Sequence, residues 1–302
     1  MSLTPFEVAP AGLATGRRLF LKREDTHELG AFKWRGALPT VEAYQASGAA
    51  TVVTASTGNH GAATAWAARK VGIRAVVYAP QGASRAKLEL IARQGAEIRE
   101  EGADFDAAKD LARAFATQRA LPFFEDGAEA AQYTGYGAIA EEIVDQSQEA
   151  PAAVVVPLGN GALVGGIGQA LRRRSPRTRV VAVAAKEAPV MVLSYRAGKP
   201  VACDRMATFA DGLAVRVAIP EAVAILQRVV DQMLLVSERE IARAVGRYAA
   251  AGIRAEGAAA AALAGLEQLP DAEGPIVLVV TGRNIDDTLY QRAIGHPETF
   301  KD

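Results

Sequence analysis

Short apolar runs rich in Val, Ile and Ala alternate along the chain with longer Ala-rich stretches of helical period. "ATVVTAS" (50–56) predicts a buried strand and "HGAATAWAARKVG" (60–72) the helix after it. The same rhythm predicts strands at 73–80, 96–100 and 121–126, with helices at 84–95 and 104–119 between them. Beyond a helix at 134–146, strands are expected at 152–159, 178–185 and 274–282, and helices at 163–174, 237–252 and 256–269. Continuous apolar strands separated by helices imply parallel sheets covered on both faces. The expected class is α/β with two open parallel-sheet domains, the smaller inserted in the larger. Residues 1–47 plus 131–302 would form the large domain, with the N-terminal segment packing beside its sheet, and residues 48–130 a small, mobile one. The crevice between them is the expected ligand site.

Composition narrows the function classes. With 34 Lys+Arg against 34 Asp+Glu the net charge is zero, so no nucleic-acid partner is expected. No apolar run reaches a bilayer-spanning length, so no membrane partner is expected either, and the N-terminus has no signal-peptide pattern. The lone Cys203 leaves no intrachain disulfide, and His27, His60 and His296 are scattered, so no metal site is expected. The chain reads as a cytoplasmic enzyme or small-molecule binder.

Three predicted strand ends and one lysine carry candidate chemistry. "GAFKWRGA" (30–37) places Lys33 among apolar and small neighbours. It is either a snorkelling lysine at a helix start or a buried amine with nucleophilic use. "GNGALVGG" (159–166) follows a strand and opens a helix, where backbone N–H groups can converge on an anion. Val164 stands where a dinucleotide fingerprint needs glycine, so the loop suits one phosphate, or is a tight turn with no ligand. "ASTGNHG" (55–61) makes a polar nest suited to a carboxylate, or an ordinary N-cap; His60 alone reads as a packed or surface histidine. Thr281 ends an apolar strand and offers a hydroxyl to a buried ligand or to a helix cap.

Taken in order, these segments resemble the fold type II pyridoxal-phosphate enzymes, the tryptophan-synthase β-like group, in their threonine/serine dehydratase and serine racemase branch. "KREDTHELGAFKWRGA" is similar to K-x-E-x-x-x-x-x-G-S-F-K-x-R-G-A, "STGNHG" to S-x-G-N-H, and "GYGAIAEEI" to G-Q-G-T-I-A-x-E-I. "GNGAL", "TFADGLAV", "AEGAAAAAL" and "TGRNID" match four further blocks, so the likeness runs from about residue 18 to 287. The resemblance implies that Lys33 forms a Schiff base with pyridoxal 5'-phosphate and that Phe32 stacks on its ring. It implies that Gly159, Asn160, Gly161, Ala162 and Leu163 hold the phosphate, Asn59 the ring hydroxyl and Thr281 the ring nitrogen. Ser56, Thr57, Gly58, His60, Gly135, Tyr136, Asp211 and Gly212 would surround the substrate, with Lys33 and Thr57 catalytic. A homodimer is implied, without the C-terminal regulatory domain of some threonine dehydratases.

The implied activity is an ammonia-lyase: β-elimination on a β-hydroxy amino acid such as L-threonine or L-serine, giving a 2-oxo acid and ammonia. A racemase or a β-replacement synthase on the same cofactor is the alternative, and a nucleotide-binding oxidoreductase or non-catalytic nucleotide-binding module a remote one. Departures from the pattern bear on the choice. Thr57 stands where racemases carry a serine base, and Ala184 where metal-dependent members carry a glutamate. Tyr136 replaces the usual glutamine, and Arg283 replaces a glycine near the expected pocket rim.

Overall fold

A computed structural model describes residues 3–14, 16–270 and 273–302. The chain divides into two compact units, one of Met1–Phe32 with Tyr136–Asp302 and one of Lys33–Gly135. The divide falls at 32/33 and 135/136 rather than 47/48 and 130/131, because helix Trp34–Ala46 packs along helix Asn59–Val71 of the smaller unit, with Trp34 edge-on to Trp66 at 6.2 Å.

In chain order the strands are β1 (Phe6–Val8), β2 (Leu19–Arg23), β3 (Thr51–Ala55), β4 (Arg74–Ala79), β5 (Glu97–Glu100), β6 (Ala153–Pro157), β7 (Arg179–Ala185), β8 (Gln232–Val236) and β9 (Ile276–Val280). The larger unit holds a six-stranded sheet in the order β1-β2-β9-β6-β7-β8, parallel except for β1. β6 and β9, at its centre, are buried at every residue, as a sheet covered on both faces requires. The N-terminal segment thus enters the sheet itself as β1 and β2, beyond the expected strands. β8 was also absent from the sequence reading: its QMLLV run sits at an edge, half-buried, directly after helix Pro220–Val229, so no turn signal sets it apart. Helix Gly257–Leu266 is buried throughout, and its Ala and Gly side chains allow close approach to the sheet. A Cβ on Gly265 would lie 2.6 Å from Val183 Cγ2.

The smaller unit holds β3-β4-β5, all parallel, with charged β5 at an edge, where such residues discourage further pairing. The strand expected at 121–126 is a single bridge, Phe123 to Val53. The ladder ends because Thr54 Oγ1 donates to the Phe124 carbonyl at 2.7 Å, and the chain then turns to present Glu125 and Asp126.

Candidate active site

In the smaller unit the candidate residues gather at the ends of β3 and of the 122–126 segment. Lys33 stands just before helix Trp34–Ala46, its side chain 16% exposed. Its Nζ donates to Asp126 Oδ2 at 2.5 Å, so the amine is not a snorkelling, solvated cation. The surroundings of Lys33, apolar and small along the sequence, thus include a carboxylate in the fold. Burial pushes the Asp126 carboxyl up, but the charge of Lys33 and hydrogen bonds from Lys33 and Gln132 outweigh it and hold Asp126 well below the usual carboxylate range. Gln132 is fully buried; its Nε2 donates to Asp126 Oδ1 at 2.7 Å and its Oε1 accepts the Gly127 N–H at 2.7 Å.

The 55–61 turn is not capped as a side-chain N-cap would have it. Ser56 Oγ accepts from Gly58 N at 3.1 Å, and helix Asn59–Val71 begins after Gly58 with no side-chain cap bond. Thr57, Gly58 and Asn59 are half-buried at its head. His60 is packed: its ring lies edge-on to Phe124 at 4.6 Å, and Nε2 is 3.1 Å from Thr54 Oγ1 and 3.3 Å from the Phe124 carbonyl. Desolvation lowers its pKa against the opposing pull of Asp126, so the ring is neutral. Gly135 lets its helix meet the Arg35 carbonyl, where a Cβ would collide with backbone. Pro39, four residues on, has no N–H to give that carbonyl.

The larger unit assembles the other set at the C-terminal ends of its strands. After β6, Gly161 turns with φ +94° to open helix Ala162–Arg174, and Asn160 Oδ1 accepts from Ala162 N at 3.1 Å. Gly159 backs onto the carbonyl of Gly212, which with Asp211 forms the exposed part of the turn Asp211–Leu213, so closely that a Cβ would clash. Ala162 and Leu163 are buried in the first turn of that helix. After β9, Thr281 is 2% exposed, and its Oγ1 has no hydrogen-bond partner among the described residues. Its carbonyl accepts the Phe32 N–H at 3.0 Å, and the Phe32 ring lies 5.0 Å from that of buried Tyr136. A buried hydroxyl without a partner costs free energy, so a ligand atom is its natural complement.

The sequence matches the pyridoxal-phosphate-dependent enzymes over residues 3–282. The chain belongs to that family. The biosynthetic L-threonine dehydratase of Pasteurella multocida is 33% identical over 245 residues, 80% of this chain and 48% of the relative, so the chain spans about half that relative's length. Threonine deaminase isoform 2 of Solanum lycopersicum superposes with a TM-score of 0.92 at 26% identity, covering 98% of this chain and 88% of the other. Maize serine racemase gives 0.88 at 26%, covering 99% and 93%. The fold is therefore fold type II, and the cofactor of the family is pyridoxal phosphate.

Sequence reasoning missed three residues that the structure places beside the candidates. Asp126 and Gln132 hold Lys33 as described, and the only signal was an acid at the end of a predicted strand in "FFEDG". Buried Glu256 precedes helix Gly257–Leu266; its N–H donates to the Gly282 carbonyl, and a Cβ on Gly282 would lie 2.9 Å from its carboxyl.

Proposed function

We propose that this chain is a pyridoxal-phosphate-dependent ammonia-lyase acting on a β-hydroxy amino acid such as L-threonine or L-serine. The observation that carries the reading is the buried, unpartnered Thr281 hydroxyl at the end of a central strand. The Pasteurella and tomato relatives, a threonine dehydratase and a threonine deaminase, support the substrate class.

The residues fit the cofactor: an orphaned hydroxyl, a positive-φ glycine loop opening a helix, and a lysine amine held inside its unit. Lys33 Nζ would hold the aldehyde carbon, and the backbone of Gly159, Asn160, Gly161, Ala162 and Leu163 the phosphate. Thr281 would meet the ring nitrogen, Asn59 the ring hydroxyl and Phe32 the ring face. When bound, the cofactor supplies an electron sink that acidifies the substrate's Cα–H. Lys33 Nζ, displaced by the substrate amine, takes that proton. Ser56, Thr57 and the N–H groups following Gly58 orient the substrate carboxylate; Tyr136 borders its side chain. A hydroxyl at 281, unlike a carboxylate, does not force a proton onto the ring nitrogen. Charge at Cα is then relieved by loss of the β-substituent. The β-hydroxyl would leave as water with the proton that Lys33 Nζ took from Cα, and the unsaturated amine released would take up water, giving the 2-oxo acid and ammonia.

The test is a visible spectrum of the purified protein with a panel of β-hydroxy amino acids. A cofactor band that shifts, with 2-oxo acid appearing, is expected; Lys33→Ala should lose both. A second reading, a serine-type racemase, is favoured by Thr57, whose hydroxyl makes no helix cap, and by the likeness to maize serine racemase. A band that shifts while the D-enantiomer accumulates without 2-oxo acid would select it. We further propose that the enzyme works as a cytoplasmic homodimer, as the resemblance implies, which sedimentation of the purified protein tests.

A further inference from the structure

Asp126 has a place in the smaller unit that the dehydratase reading leaves unused. It follows Phe124, whose N–H donates to the Val53 carbonyl at 2.8 Å and whose own carbonyl receives the Thr54 hydroxyl. The backbone leading to the carboxylate is therefore stitched to β3. Beyond it, Gln132 fixes both Asp126 Oδ1 and the Gly127 N–H, and the Tyr133 hydroxyl donates to the Gly127 carbonyl at 2.9 Å. The two carboxylate oxygens are divided: Oδ1 takes the Gln132 amide and Oδ2 the Lys33 ammonium at 2.5 Å. His60, at the head of helix Asn59–Val71, also faces Asp126, its Nδ1 3.7 Å from Oδ1. Helix Phe105–Gln118 contributes Lys109, which is paired with Glu125. The ring of His60 is buried and neutral, so the charge opposite Asp126 sits on Lys33.

We infer that Asp126, clamped by Gln132, is a positioning residue that fixes Lys33 Nζ and holds a carboxylate oxygen against it. The inference rests on the proposed role of Lys33 as the residue that holds the cofactor. Its chemical consequence lies in the proton bookkeeping of the elimination. When Lys33 Nζ takes the Cα proton it becomes an ammonium, and a rigid, ionised carboxylate beside it stabilises the product of that transfer. Asp126 does not itself carry the proton, since the same interaction keeps its carboxyl ionised. The amide of Gln132 completes the arrangement by preventing the carboxylate from rotating away.

The test uses the cofactor-loaded enzyme and three forms of it: wild type, Asp126→Asn and Asp126→Glu. Asparagine keeps the shape and can still meet Gln132, while glutamate keeps the charge. The visible band of each is titrated against pH, independently of turnover. Asp126→Asn is expected to move the midpoint about one pH unit to the acid side, a tenfold change in proton affinity. Asp126→Glu should recover most of that displacement. With substrate, Asp126→Asn should lose roughly tenfold or more in kcat while KM stays close to wild type. A midpoint unmoved in Asp126→Asn would overturn the inference, as would equal displacement in both variants, which marks a structural role. A wild-type protein that shows no visible band at all would overturn the role of Lys33, and this inference with it.

Discussion

Replacing Thr281 by valine exchanges a buried hydroxyl for a methyl group of nearly the same shape. Thr281 is 2% exposed and its Oγ1 meets no partner among the described residues, so the cofactor-free protein bears the desolvation cost of that group. Such a cost is about 1–3 kcal/mol. Removing it should raise the stability of the cofactor-stripped protein by that amount, or about 2–12 °C in Tm for a unit of about 200 residues. In the loaded enzyme the sign reverses. On the proposed site the ring nitrogen would lose its hydrogen-bond donor, and the cofactor's dissociation constant should rise about 5- to 150-fold. Thr281→Ser separates the two effects: it keeps the hydroxyl and costs about 0.5–1.5 kcal/mol through the lost methyl. Differential scanning calorimetry of the stripped proteins and equilibrium dialysis against pyridoxal phosphate supply both numbers. A Thr281→Val protein that melts lower than wild type when stripped, or that binds the cofactor equally well, would refute the reasoning.

Three further outcomes are expected. Gly159→Ala drives a Cβ into the Gly212 carbonyl, where no flexible side chain can give way; it should cost about 1–3 kcal/mol in urea unfolding and weaken competition by inorganic phosphate for the cofactor-free site. Gly161→Ala combines φ +94° with contacts to Leu226 and Met191 at 3.1 Å, and should cost about 1–2 kcal/mol in the same assay. Stability should fall on acidification in two windows. His60 is held neutral in the fold, so below about pH 6.5 the unfolded chain binds the extra proton and stability drops by at most about 1.4 kcal/mol per pH unit. The depressed Asp126 carboxyl contributes stability that is present above about pH 4 and lost as the pH falls further. Urea midpoints measured from pH 8 to pH 3 check both, and His60→Gln should flatten the first window alone.

The strands written as continuous apolar runs were legible in the sequence because burial on both faces leaves no polar positions to confuse the period. β8 and the 121–126 segment were not, since an edge strand and a single bridge depend on what lies alongside. The same distinction divides the candidate site. Lys33, the 159–163 loop and Thr281 stood out because each sits in a local segment whose residue types carry the chemistry. Asp126 acquires meaning only through Lys33, 93 residues away in the chain. The contact of Glu256 with Gly282 likewise joins two separate turns, and a pattern read along the chain has no access to it.

The turns around the strand ends of the larger unit meet at glycines, which bring no side chain of their own to the contact. Gly159 abuts the Gly212 carbonyl, Gly212 faces Ala258, Gly257 faces Phe209 and Ala210, and Gly282 faces the Glu256 carboxyl. Each of these glycines leaves its neighbour less room than a Cβ needs, so a bulkier residue there has to be matched by a shift in the atoms it faces. Changes of substrate range by mutation at these glycines should therefore arise in concert across several turns. Single steps should instead enter through exposed Arg283, whose side chain stands outside that chain of contacts.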